Sequence, residues 1–263
     1  MNALLQQLGS ALSGLTWSAW HFLSFPFNRR SRWRSLRVLA VCRDPFVLER
    51  IRLSELIPDP FEVTLGPLKA GAHNVSEYEL LCLASLVKAA NASKVFEIGT
   101  FDGRSSRAMA LNLVPDGCLV TLNLPPGEGV NSAGVCNVDT GLNTKVISGN
   151  RFLGTLEAAC IRQVYGDSAT FDFGPYEGCM DLVFIDGSHV FDYVKNDTEA
   201  AIRMIKPAGG WILWHDATLY GVAPYLKKQI REFGWPVRLI DGTTLMVGYC
   251  REGEMTCVPL KDG

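Results

Sequence analysis

The sequence predicts an α/β protein built on a doubly wound, mostly parallel sheet that closes with an antiparallel hairpin. Three observations carry that expectation. From residue 94 onward, short apolar runs alternate with segments of helical periodicity. Such alternation implies a parallel sheet with helices on both faces. Near the end, Asp241-Gly242 stands between two apolar runs, as a hairpin turn does. The chain has 263 residues, 48% hydrophobic and 20% charged, enough to bury a sizeable core. Its formal net charge of -2, from 25 basic and 27 acidic residues, gives no electrostatic reason to expect nucleic acid as a partner.

The elements follow in order. Residues 1–37 open with a charge-free stretch in which Leu4, Leu5, Leu8, Leu12, Leu15, Trp17 and Trp20 form a roughly helical stripe. Gln6, Gln7, Ser10, Ser13 and Ser18 break it, so it makes a poor transmembrane helix. An arginine cluster from Arg29 to Arg43 follows. Two readings stay open for residues 2–37: a helix packed on its own domain or on a second copy in a homo-oligomer, or an amphipathic segment in a membrane interface with its arginines on anionic headgroups. Residues 38–75 read as a linker or lid, with a short helix after Asp44-Pro45 and then Pro58, Pro60 and Pro67.

The regular domain spans 76–250, and 251–263 reads as a tail. Ser76 and Glu79 have capping-box spacing ahead of a helical face of Leu80, Leu83, Ala84 and Val87. Strand 94–98, helix 105–112, strands 118–123, 161–165 and 181–186, helix 190–205, strand 211–215 and helix 222–233 are then expected. The hairpin pairs 237–240 with 244–249. A Gly- and Asn-rich stretch, about 125–150, fills the place of one crossover helix. The eight cysteines, Cys42, Cys82, Cys118, Cys136, Cys160, Cys179, Cys250 and Cys257, are scattered and fit no zinc module; they read as reduced thiols of a cytoplasmic protein.

In an open parallel sheet, ligands bind beyond the carboxyl ends of the strands. After the first of these strands comes Glu97-Ile98-Gly99-Thr100-Phe101-Asp102-Gly103-Arg104-Ser105-Ser106, an acid-x-Gly-x-x-x-Gly loop. It lacks the G-x-G-x-x-G of dinucleotide sites and suits a less anionic nucleoside ligand. Glu97 to Ser105 resembles the first motif of the class I S-adenosylmethionine-dependent methyltransferases. The likeness continues, in family order, through Asn123, Gly166-Asp167-Ser168, Asp186-Gly187-Ser188-His189, Lys206-Pro207-Ala208-Gly209-Gly210 and Trp214-His215-Asp216. Together these look like the bacterial O-methyltransferase branch related to catechol and macrolide-sugar enzymes, and the likeness covers about residues 74–249.

The resemblance implies a Rossmann-like fold and cofactor contacts at Glu97, Gly99, Thr100, Phe101, Gly103, Ser105, Asn123, Asp167, Ser168 and Asp186. It also implies a divalent ion, Mg²⁺ or Mn²⁺, at Asp186, His215 and Asp216, with His189 as the base that deprotonates a small-molecule hydroxyl, sugar-borne in some members. Gly99 and Gly103 would make room for the methionine moiety. Asn123 departs from the usual ribose-gripping acid, a change of charged to neutral hydrogen bonding worth about 1–2 kcal/mol. Blander roles stand beside these: Asp186 and Asp216 as helix caps, His189 as a polar residue at a helix start, Gly99 and Gly103 as plain turns, Asp197 and Glu199 as a solvated face or packing partners. A catalytically inactive scaffold of the same fold and a nicotinamide-dependent oxidoreductase are the alternative functions.

Overall fold

A computed structural model of the chain describes residues 48–258 apart from 60, 72, 126–146 and 220. The leader, the start of the linker helix and most of the Gly- and Asn-rich stretch lie outside the described residues. Among those described, no helix is long and apolar enough to cross a membrane.

The chain runs β1 (Arg50–Ile51), α1 (Leu53–Leu56), α2 (Glu77–Ala89), β2 (Lys94–Ile98), α3 (Arg104–Ala110), β3 (Cys118–Asn123), β4 (Ile161–Tyr165), β5 (Leu182–Ile185), α4 (Phe191–Met204), β6 (Gly210–Trp214), α5 (Val222–Phe233), β7 (Arg238–Ile240), β8 (Met246–Arg251) and β9 (Glu254–Thr256). The sheet order is β1-β7-β8-β6-β5-β2-β3-β4, with β9 added beside β8. Strands β2 to β6 are mutually parallel, whereas β8 lies antiparallel to β6, β7 and β9. The expected doubly wound sheet with its reversed hairpin strand is therefore present. Order reverses beside β2, which has β3 on one side and β5 on the other, so the switch point falls between β2 and β5.

Two-residue alternation sends each strand's side chains into two cores. Phe96, Ile98, Val120, Leu122, Val183, Ile185, Ile212 and Trp214 face α4 and α5, while Val95, Leu119, Leu182, Phe184 and Leu213 face α2 and α3. The single polar break in this pattern is the pair Glu97 and Thr121, both fully buried. Helix α2 starts where its cap predicts: the Ser76 hydroxyl accepts from the Glu79 amide at 3.2 Å, and the Glu79 carboxylate accepts from the Ser76 amide at 2.8 Å.

Two expectations change in detail. Within the segment read as linker or lid, Arg50 and Ile51 form an edge strand beside Leu239 and Ile240. In the segment read as a tail, Glu254–Thr256 folds back on β8. The stretch before α2 is also tied down: the Arg104 guanidinium donates to the carbonyls of Val75 and Leu68, and Arg151 donates to the Lys69 carbonyl at 2.8 Å.

Candidate active site

Ladder hydrogen bonds carry the sheet's register into the residues beyond each strand. Gly99 donates its amide to Leu122, Asp186 to Ile98, His215 to Ile185 and Gly166 to Asn123, at 2.8–3.0 Å. The loops after β2, β3, β4, β5 and β6 thus leave the sheet from fixed positions along one edge.

At the switch point the β2 and β5 loops touch. Gly99 has φ 104°, and a Cβ there would lie 2.1 Å from the Asp186 carbonyl oxygen. At Gly103, with φ 84°, a Cβ would meet the Phe152 ring at 2.6 Å. Both glycines answer to the fold's own packing and positive φ, a requirement that the expected room for a ligand did not include. Phe101, between them, is also left-handed at φ 47°. Its amide donates to the Asn123 side-chain oxygen at 3.3 Å, which joins the β3 end to this loop.

Three residues expected among the cofactor contacts have side chains committed to the interior. Glu97 is fully buried and accepts the hydroxyls of Ser105, at 2.5 Å, Ser106, and Thr121, at 2.6 Å. The Thr100 hydroxyl pairs with that of Thr121 at 2.7 Å. These groups brace the loop from beneath, so the side chains of Glu97, Thr100 and Ser105 serve the loop's own packing. Burial pushes the Glu97 carboxyl up to about 7, against the pull of its three hydroxyl donors and with the Asp186 charge adding to the rise.

On the β4 side, Asp167 accepts the Ala169 amide at 3.0 Å and the Tyr193 hydroxyl at 3.0 Å, while Asn196 donates to the Ser168 carbonyl at 2.7 Å. Asp197 lies below this loop with no exposed surface; burial pushes its carboxyl up to about 7 against hydrogen bonds from Ser168 and Asn196. It is a buried packing partner, whereas Glu199 is exposed. Tyr193, Asn196 and Asp197 stand at i, i+3 and i+4 on α4. That polar spacing on a helix packed against the sheet was the signal by which the sequence could have disclosed this support.

Above β5 and β6 four titratable groups converge. His189 Nε2 lies 3.2 Å from Asp216 Oδ2, and His215 Nδ1 lies 3.0 Å from Asp186 Oδ1 and 3.8 Å from Asp216 Oδ2. Asp186, His189 and His215 each place one ligand atom within 4.8 Å of the others, so a donor set able to hold a metal ion is assembled. Neither aspartate caps a helix: α4 begins after Val190 and α5 after Gly221, with no side-chain cap at either. Asp216 is left-handed at φ 50°, which turns the chain sharply at the β6 end.

His215 is gripped at both ring nitrogens, because Nε2 lies 3.5 Å from Glu79 Oε2. Burial alone would lower its pKa, yet the Asp186 charge and hydrogen bond, the bond to Glu79 and the Asp216 charge together push it up to about 11. So protonated, the ring donates Nδ1–H to Asp186 Oδ1, and a metal ion bound at His215 would have to displace that proton. For Asp216, burial pushes upward, but the His189 hydrogen bond and the His215 charge hold it below the usual carboxylate range.

Two supports escaped the sequence. Glu79 was read only as a helix cap. Gly221 was not singled out, yet a Cβ there would lie 2.5 Å from the His189 carbonyl oxygen and 2.4 Å from the Phe191 amide nitrogen. The Gly221 amide donates to that same His189 carbonyl at 2.9 Å.

A family profile described as a methyltransferase domain matches residues 96–217, from within β2 to just past Asp216. Residues 96–217 are thus similar to a methyltransferase domain. Among solved structures, its fold is similar to that of a protein assigned as an O-methyltransferase from Klebsiella pneumoniae, at 18% identity over 69% of this chain and 83% of that one, with a TM-score of 0.50. It is also similar to cofactor-bound Rv0187 from MTB, at 19% identity over 70% and 84%, TM-score 0.50. No curated protein matches the chain. At such identities the likeness speaks for the fold, a Rossmann-like sheet, and Asp186, His189, His215 and Asp216 all lie within the matched segment, whereas Glu79 precedes it.

Proposed function

We propose that this protein transfers a methyl group from S-adenosylmethionine to a hydroxyl of a small molecule. The observation that carries the reading is the convergence of Asp186, His189 and Asp216 beyond β5 and β6, one strand over from the Gly99–Gly103 loop of a methyltransferase domain. When bound, S-adenosylmethionine supplies an electrophilic methyl group on its sulfonium. Asn123, at the β3 end, would hold ribose hydroxyls through a neutral amide, and the Asp167-Ser168 loop would border the adenine.

His189 takes the proton of the acceptor hydroxyl, and Asp216 beside its Nε2 orients the ring and stabilises the imidazolium that forms. Histidine suits the step because its ordinary pKa, about 6.5, lies near working pH. The Asp186 and Asp216 carboxylates fit a hard divalent ion such as Mg²⁺ or Mn²⁺, which would lower the charge at the acceptor oxygen. His215, with Nδ1 3.0 Å from Asp186 Oδ1, would hold that carboxylate in place.

Calorimetric titration with S-adenosylmethionine and, separately, with NAD tests the reading. Heat is expected with the first ligand and none with the second; no heat with S-adenosylmethionine would overturn it.

A further inference from the structure

We infer that Glu79 is a positioning residue of the reaction centre: it fixes the His215 ring, and the ring fixes the Asp186 carboxylate. The consequence for metal binding rests on the proposed methyl transfer; the positioning itself does not. A helix cap needs only the Ser76 amide, yet Glu79 does more. Its Oε1 accepts the Thr244 amide at 2.9 Å and the Thr244 hydroxyl at 2.8 Å, while Oε2 accepts the Ser76 amide at 2.8 Å and faces His215 Nε2. Three donors, from the start of α2 and from the β7–β8 turn, thus hold a carboxylate whose side chain is only 7% exposed.

So anchored, the carboxylate cannot follow a rotating ring. His215 is therefore held with Nδ1 on Asp186 Oδ1, and its ring lies T-shaped to that of Phe184, centroids 6.4 Å apart. The Asp186 carboxylate is left with one aim, toward His189 and Asp216. A histidine fixed by a carboxylate, itself fixed by backbone donors, is the supporting shell that reaction centres use to hold a first-rank ligand in place.

Glu79→Gln preserves the cap, since glutamine serves at that position, and removes the charge facing His215. In full-length protein with ¹⁵N-labelled histidine, the wild type is expected to show a slowly exchanging His215 Nδ1–H resonance that Asp186→Asn abolishes. Glu79→Gln should lose or broaden that resonance while circular dichroism shows a folded chain, and Mn²⁺ affinity should fall 10- to 100-fold. Should Glu79→Gln not fold, Glu79→Asp, which keeps the charge but falls short of the ring, takes its place with the same expectation. A resonance unchanged in the folded variant would overturn the inference. A wild type that binds neither S-adenosylmethionine nor Mn²⁺ would instead overturn the proposed function, and the resonance alone would then decide the role of Glu79.

Discussion

Glu97 offers a quantitative test, because burial and hydrogen bonding oppose one another at a single carboxyl. Three hydroxyls donate to it, which favours the anion, but it has no exposed surface and its carboxyl is pushed up to about 7 from an ordinary 4.5. Below pH 4.5 the group is protonated whether the chain is folded or not. Between 4.5 and 7 the unfolded chain ionises while the folded one does not, so each pH step favours unfolding. Above 7 both forms are ionised and the loss is complete. A rise of this size corresponds to about 3 kcal/mol of stability, present at low pH and lost as pH climbs through 7.

Glu97→Gln removes the titration and leaves Ser105, Ser106 and Thr121 partners to pair with, since hydroxyls accept as well as donate. Urea unfolding of both proteins from pH 4.5 to 8 gives the difference directly. Asp197, buried with the same sign of shift, is common to both and cancels. Wild-type stability relative to the variant should decline by about 3 kcal/mol across the range. A difference constant to within about 0.5 kcal/mol would refute the argument and mean that the hydroxyls outweigh burial.

Three further outcomes follow from positions already described. Gly99→Ala places a Cβ 2.1 Å from the Asp186 carbonyl at φ 104°, so urea unfolding should register a loss of about 3 kcal/mol or more; a loss under about 1 kcal/mol would mean the two loops can part freely. Gly221→Ala pushes on the His189 carbonyl instead, and turnover should fall at least tenfold with S-adenosylmethionine affinity within twofold, as measured by kinetics and calorimetry; equal loss of both would contradict a local effect. Asn123→Asp restores a charged acceptor at the β3 end and should tighten S-adenosylmethionine by about 1–2 kcal/mol, read by calorimetry; weaker binding would remove Asn123 from the ribose.

How much was legible in the sequence depended on whether the cause was local. Strands Lys94–Ile98, Cys118–Asn123 and Ile161–Tyr165 and helix Val222–Phe233 fall where side-chain periodicity and flanking turn residues put them. The capping box at Ser76 was equally plain, since both partners lie within one turn. Strand β1 left no such trace, because Arg50 and Ile51 join the sheet through backbone pairing with β7, which any side chain permits. In the candidate site, Asp186, His189, His215 and Asp216 were readable because strand ends gather by topology. Glu79 was half-readable: its cap bond spans three residues, whereas its bond to His215 spans 136 and depends on how β6 and α2 meet. The burial of Glu97 was not legible, since an acid beside a glycine loop gives no sign of the inward face on which strand alternation places it.

The contact between Gly99 and the Asp186 carbonyl ties the β2 and β5 loops together through main-chain atoms. The Asp186 main chain limits how close the β2 loop can come, and its side chain meets His215 Nδ1 at 3.0 Å. Because the contact is made by main-chain atoms, a new side chain at 186 leaves it in place, whereas any shift of the β5 end is passed directly to the β2 loop. The stretch before α2 is held differently, by the Arg104 and Arg151 side chains on its carbonyls, so a substitution at either arginine would loosen it without touching the β2–β5 contact.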